Sequence, residues 1–391
     1  MQRGVDIFVW QPVLTDHQAY TLEALAQLRN CALVVYVAAM QDDERAAQGW
    51  TQVRDNSAWV EIRVMPRRST FIYMCRQLRL HRHATHIFGS PFDRPDMMTA
   101  MFVAALTGIS MYLVSEPYSP TSADYFSDKV NLLGILRNAL RPALYKLYGL
   151  ILRRRVRGVF AISPLAVAQY RRLGVPPTRI FPFGYFVPFQ TSPLKSTQSG
   201  ARASGGAVRL VCVASLIRRK GVTELIAAVK NLCSRGMAIQ ADVFGPGDDS
   251  RFAFDGSHVT YRGVIPFGRA QEIIACYDLL VLASKYDGWG VVINEALMAG
   301  VPVVCSDRVG AAGVVRKWAC GIVYGSSDPK GLEGALSNFA NSVTDVQQLR
   351  RHASEAAVVL QPAVAAKYML EALLSVERGA APPECPWYAT A

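Results

Sequence analysis

The stretch SKYDGWGVVINEALMAGVPVVCSD, from Ser284 to Asp307, sets two carboxylates, Asp287 and Glu295, eight positions apart with no other charge between them. An isolated acid among apolar neighbours is costly unless something pairs with it, so each carboxylate calls for a partner. The stretch reads as a glycine loop that becomes a helix near Val291, which puts Asp287 ahead of the helix and Glu295 about one turn inside it. Amides around Gly288, Trp289, Gly290, Val291 and Val292 then suit an anionic group such as a diphosphate. The partners need not be cations, because a carboxylate also accepts from paired hydroxyls, which sugar rings offer.

Two further turns carry related residue types. VASLIRRKGVTELIAAV (Val213–Val229) reads as a strand, a basic turn and a helix whose first turn holds Gly221 and Glu224. Arg218, Arg219 and Lys220 crowd the mouth of that helix, where a phosphate fits, although three adjacent cations also describe a solvated turn. DVFGPGDD (Asp242–Asp249) ends another strand in a turn where Gly245 and Gly247 let a ligand approach the backbone. Lacking a third glycine, it is no dinucleotide fingerprint.

In the first half, THIFGSPFDRPD and LVSEPY end strands and offer Ser90, Asp93 and Glu116, together with His17, as contacts for a second substrate. The same residue types serve as caps, turns or core residues. HRHATH (His81–His86) resembles a set of metal ligands, but only His17, His258 and His352 remain elsewhere. Nothing completes a ligand set and no paired acidic motif for a divalent cation is evident, so no metal is expected.

These turns need strands and helices to hold them. The chain alternates short apolar runs with helical-period segments (VDIFVW, TLEALAQL, ALVVYVAAM, WVEIRVM, THIFGS), breaks at the polar Gln190–Ala207, and alternates again from VRLVCVAS onward. Such alternation implies parallel βαβ winding, so the fold class is α/β with two Rossmann-like domains facing a cleft. The expected boundaries are 1–189 for the first domain, 190–207 for a linker and 208–365 for the second. A helix over 366–378 is expected to pack back on the first domain, and 379–391 to form a frayed tail.

At 391 residues, with 51% hydrophobic and 18% charged residues, the chain is globular and large enough for two cores. A net charge of +12 favours an anionic partner: nucleotide, phosphorylated lipid, membrane surface or nucleic acid. The eight cysteines form no CxxC pair and read as reduced thiols of a cytoplasmic protein; Asp6 interrupts any secretory signal. The uncharged run between Asp96 and Glu116 is split at TGIS, which favours a buried helix and a strand over a membrane span.

In order and spacing, SLIRRKG, VFGPG and YDGWGVVINEALMAGVPVV resemble the GT-B glycosyltransferases of family GT4, retaining enzymes with an E-x7-E signature. The resemblance implies that Lys220 and one of Arg218 or Arg219 hold the donor diphosphate, that Glu295 binds the nucleotide ribose and that Asp287 faces the donor sugar. It also implies an acceptor-binding first domain, a nucleotide-sugar-binding second domain and backbone contacts to the base near Val264–Phe267, with Val264 and Ile265 among the donor-binding residues. Two positions depart from the family: its first Glu is Asp287 here, and the Arg usual in its first motif is Ser215. The N-terminal glycine loop of many members is replaced by WQPVLTDHQAY.

The expected activity is therefore a hexosyltransferase using a nucleotide-sugar donor, no metal cofactor, and a saccharide or lipid-linked acceptor. LRNALRPALYKLYGLILRRRVRG (Leu136–Gly158) has the composition of a basic amphipathic helix able to lie on anionic lipid at the inner face of the membrane, or of an ordinary helix interrupted at Pro142. A sugar-nucleotide epimerase of the same architecture and a degenerate nucleotide-sugar-binding scaffold remain open alternatives. Nucleic acid is not an expected partner, since no recognised binding module is present.

Overall fold

The computed structural model describes residues 7–41, 56–118, 132–190, 206–341 and 346–389. Most of the expected linker lies outside these residues, as does the start of the chain. Two parallel sheets form the frame. The first has seven strands: β1 (Ile7–Gln11), β2 (Leu33–Val37), β3 (Val60–Val64), β4 (Thr85–Gly89), β5 (Met111–Ser115), β6 (Gly158–Ile162) and β7 (Ile180–Phe183), in the order β3-β2-β1-β4-β5-β6-β7. The second has six: β8 (Val208–Val213), β9 (Ile239–Phe244), β10 (Val259–Tyr261), β11 (Leu279–Leu282), β12 (Val303–Ser306) and β13 (Gly321–Tyr324), in the order β10-β9-β8-β11-β12-β13.

Helices cover both sheets. In chain order they are α1 (Asp16–Arg29), α2 (Thr70–Leu80), α3 (Pro95–Leu106), α4 (Leu132–Arg155), α5 (Ser163–Arg172), α6 (Val222–Ser234), α7 (Ala270–Ile274), α8 (Val291–Met298), α9 (Ala312–Lys317), α10 (Gly331–Asn341), α11 (Val346–Val359) and α12 (Pro362–Arg378). Strands covered on both faces should be apolar throughout rather than alternating. β1, β4, β6, β11 and β12 are buried along their whole length.

Strand order reverses between β1 and β4 in one sheet and between β8 and β11 in the other. Crevices open at such switch points, beyond the carboxyl ends of the strands, so the loops after β1, β4, β8 and β11 are where a ligand is accommodated. The motifs after β8 and β11 occupy these places.

The uncharged run before Glu116 folds as α3 and β5, and among the described residues no single helix is long and apolar enough to cross a bilayer. α12 lies along α1 of the first domain. The tail is ordered, contrary to the expectation of fraying: Cys385, Trp387 and Tyr388 are buried. One hydrophobic cluster runs from the first sheet through Phe183, Phe186, Trp289, Tyr368, Trp387 and Tyr388 into the second. The two domains therefore share a core at their hinge, and a second cluster fills the other face of the first sheet.

Candidate functional site

The loop after β8 is built by close packing. Gly245 and Gly247, with φ of 147° and 137°, lie so near this loop that an added Cβ would fall 1.9 Å from the Ala214 carbonyl oxygen and 2.6 Å from Leu216 Cβ. Their smallness lets two loops of the protein meet, a different use from the ligand approach expected of that turn. Ser215 is half-buried between them and Arg218 is exposed. Arg219 is buried and donates to the Tyr286 carbonyl at 2.8 Å, so its guanidinium braces the neighbouring loop. Gly221 turns the chain into α6 with φ of 72°, where a Cβ would lie 2.0 Å from the Ala283 oxygen.

Lys220 answers half of the question raised by the two carboxylates. Its Nζ donates to Asp287 Oδ2 at 2.6 Å, with the two side chains 17% and 9% exposed. Burial by itself would raise the Asp287 carboxyl, but Lys220, Arg219 and the Trp289 amide outweigh it and hold the group below its ordinary value. The loop is pinned from the other side by residues 308–311. Asp287 N–H bonds Arg308 O, Gly310 N–H bonds Asp287 O and Ala311 N–H bonds Trp289 O, at 2.8–3.1 Å. A Cβ on Gly310 would meet the Gly288 oxygen at 2.1 Å. No local sequence pattern marks this supporting loop, because its role depends on contacts across the fold.

Glu295 behaves differently. It stands in α8, which starts after Gly290 (φ 89°), is part-exposed, and has no polar partner among the described residues. Burial pushes its carboxyl up to about 7. Val291 and Val292 form the first turn of the same helix and are partly exposed. Val264 and Ile265 follow β10, the former half-exposed.

Trp289 does not line an opening with its side chain. It is 1% exposed, its Nε1 donates to Asn294 Oδ1 at 3.0 Å, and a Cβ on Gly184 would lie 2.5 Å from its ring. The indole fills the hinge between the domains, so only the backbone of Trp289 belongs to the loop's polar surface.

The first domain supplies the opposite wall. Glu116, after β5, reaches so close to the loop that a Cβ on Gly288 would lie 2.2 Å from its Oε2. Tyr185 donates its hydroxyl to Glu116 Oε1 at 2.7 Å, and the His17 ring packs 4.2 Å from the Tyr185 ring. Tyr286 crosses between domains to donate to the Pro117 carbonyl at 2.6 Å. Glu116 and His17 thus join the site through Tyr185, a residue hidden from sequence reading among the aromatics of FPFGYFVPF. Ser90 adopts a left-handed turn (φ 45°) with its N–H on the Val114 carbonyl, which ties it to β5 and not to the loop. Asp93 ends the short helical turn that follows.

His86 is buried, accepting from Trp10 Nε1 at 3.2 Å and bonding the His81 carbonyl at 3.0 Å, and burial holds it down to about 4. The His81–His86 run therefore includes a neutral packing residue. Among the described residues no group of three or more His, Cys, Asp or Glu is placed to hold a metal.

Residues 207–342, which include Lys220, Asp287 and Glu295, match the family model described as glycosyl transferases group 1. The matched segment, termed the group 1 domain below, is the second of the two sheets with its helices. Over 107 residues the chain is 31% identical to TuaC of Bacillus subtilis (strain 168), named for teichuronic acid biosynthesis, covering 27% of this chain and 26% of that one. Over 161 residues it is 27% identical to a glycogen synthase of Mycobacterium tuberculosis (strain ATCC 25618 / H37Rv), 39% of each. The chain thus spans well under half the length of these curated relatives. Across the whole fold, 95% of the chain superposes on all of Anabaena HepE, a protein solved with UDP, with a TM-score of 0.67 at 14% identity. The fold of the chain is the two-domain GT-B arrangement shared with that structure.

Proposed function

We propose that the protein is a retaining glycosyltransferase that moves a hexose from a nucleotide sugar to a saccharide or lipid-linked saccharide, without a metal cofactor. The observation that carries this reading is the placement of Lys220, Asp287 and Glu295, the last without a polar partner among the described residues, at the switch point of the group 1 domain. In this reading the diphosphate takes the ammonium of Lys220 and the first-turn amides of α6 and α8, which stabilise the charge that grows as the anomeric carbon–oxygen bond breaks. Glu295 accepts from the ribose hydroxyls. Asp287, relieved of part of its ion pair, turns its charge toward the sugar, where positive character develops. The acceptor hydroxyl attacks the same face, forming the new carbon–oxygen bond, and its proton passes to the departing phosphate oxygen. Glu116 and His17 lie on the acceptor side, ordered by Tyr185.

Calorimetric titration with UDP, GDP and ADP tests the nucleotide site, and the anomeric configuration of the product with the matching donor tests retention. Lys220→Ala is expected to weaken nucleotide binding by about tenfold or more, the loss of a charge-assisted contact. Absence of binding to all three nucleotides by the wild type would overturn the reading. Epimerised nucleotide sugar formed without acceptor would favour the epimerase.

A second part of the proposal concerns the acceptor's location. α4 packs Tyr145 and Tyr148 against Phe92, with ring centroids at 5.0 and 5.6 Å. On the opposite side, Leu136, Leu140, Leu144, Leu147 and Leu150 are 41–57% exposed, a stripe at helical spacing. The helix continues through Pro142 and ends in Arg153, Arg154 and Arg155. The core does not require that outer stripe, and leucines bordered by cations suit an anionic bilayer surface. This supports a peripheral position on the cytoplasmic face of the membrane, where a lipid-linked acceptor would be presented.

A further inference from the structure

We infer that the segment Glu384–Tyr388 is a strap that sets the angle between the two domains and the position of the Asp287–Gly290 loop, with Trp387 and Tyr388 as positioning residues for the site. Its bearing on nucleotide binding rests on the function proposed above; its bearing on the loop does not.

The strap is tied at both ends of its short course. Lys317 Nζ, at the end of α9, donates to the carbonyls of Cys385 and Pro386, both at 3.0 Å. Trp387 is fully buried, with ring centroids 4.7 Å from Phe186, 4.9 Å from Tyr368 and 5.8 Å from Phe183. The Tyr388 hydroxyl is shared between the carbonyls of Phe183 at 3.2 Å and Ala161 at 3.3 Å, which lie in β7 and β6 of the first domain. On the group 1 side, a Cβ on Gly313 would lie 3.1 Å from Tyr388 Cβ, and the Tyr388 ring stands 6.2 Å from Trp289. One side chain thus touches both domains and the aromatic residue of the loop.

From Trp289 the connection to the chemistry is direct. Its N–H bonds the Asp287 carboxylate, and its carbonyl accepts from Ala311. Its indole is held through Asn294, whose amide donates to the Tyr185 carbonyl at 2.8 Å. Tyr185 in turn holds Glu116. A shift of Trp289 would therefore displace Asp287 from Lys220 and move the wall around Glu116 as well. Pro386 within the segment, with Pro382 and Pro383 just before it, reduces the freedom that the segment loses when it is fixed here.

The test uses Tyr388→Phe, which keeps the ring and removes the two hydroxyl contacts, and a chain ended at Pro383. Hydrogen exchange is followed at amides 286–292, and UDP affinity is measured by calorimetry. Tyr388→Phe is expected to speed exchange in the loop by about fivefold, the equivalent of one lost hydrogen bond. The shortened chain is expected to do so by about tenfold or more, with exchange in α6 and β9 unchanged and UDP binding weakened in step. Loop exchange at the wild-type rate in Tyr388→Phe overturns the inference, and so does an equal rise in loop and core, which would mark the strap as general support. Should the shortened chain fail to fold, Tyr388→Phe decides alone. Should the wild type bind none of UDP, GDP and ADP, the nucleotide reading fails while the exchange result still judges the strap.

Discussion

Asp287 and Glu295 share an apolar neighbourhood and differ in what stands beside them. Burial penalises both carboxylates; Lys220 and Arg219 outweigh it at Asp287, and nothing does so at Glu295. Between pH 4.5 and about 7 the folded chain holds a Glu295 proton that the unfolded chain has released, so stability falls as pH rises through that window. Glu295→Gln is expected to melt higher than wild type at about pH 8 and equally below about pH 4, as followed by circular dichroism. Hydroxyl donors favour the ionised form, so under the proposed function binding of the matching nucleotide should weaken as pH falls below about 7, and the Gln variant should show a flat profile by calorimetry. Replacing Lys220 with Met strands a buried charge and should cost about 3–5 kcal/mol in denaturant titration, with Asp287→Asn in the same chain restoring part of it. The acid pair and the basic turn were legible because residue type and spacing are local. That each would serve the other was not, since 67 positions separate them.

At the scale of elements, the strands were legible as continuous apolar runs, and the beginning of α8 was legible from its glycines. The loops that brace the site were not, because close approach is decided by whatever lies across the gap. Gly310 is the clearest case. Gly310→Ala should push Gly288 away and weaken binding of the matching nucleotide by about tenfold while leaving most of the stability in place, the result of a misplacement of about 1 Å at a positioned site. The comparison of calorimetric affinity with melting temperature checks it: full affinity in Gly310→Ala would mean that the loop has slack. Trp289 shows the converse limit. Its place between two glycines in the motif suggests a surface contact, yet its size makes it the natural filler of the hinge, where burying such a ring contributes about 2–3 kcal/mol.

For the whole molecule, two domains with separate cores were expected, and a shared aromatic cluster joins them instead. Tyr286 and Tyr388 both bond across that junction. The outward leucines of α4 give the molecule a second apolar face away from the junction. Leu140→Glu with Leu147→Glu should abolish co-sedimentation with phosphatidylglycerol vesicles, while soluble-acceptor transfer is retained. Neutralising Arg153, Arg154 and Arg155 should weaken it and reduce its salt dependence, because each cation near an anionic surface contributes about 1 kcal/mol. Unchanged vesicle binding in both variants would place the membrane contact elsewhere, and a wild type that does not co-sediment would remove it.

Tyr388 meets Ala161 and Phe183 across separations of 227 and 205 residues. During synthesis the first domain can fold as soon as it emerges, yet its alignment with the second must wait until the chain around residue 388 has left the ribosome. A nascent chain halted anywhere earlier would hold both halves without their final registration. Emergence of Tyr388, and of the strap inferred around it, is thereby the step that completes the registration of the cleft.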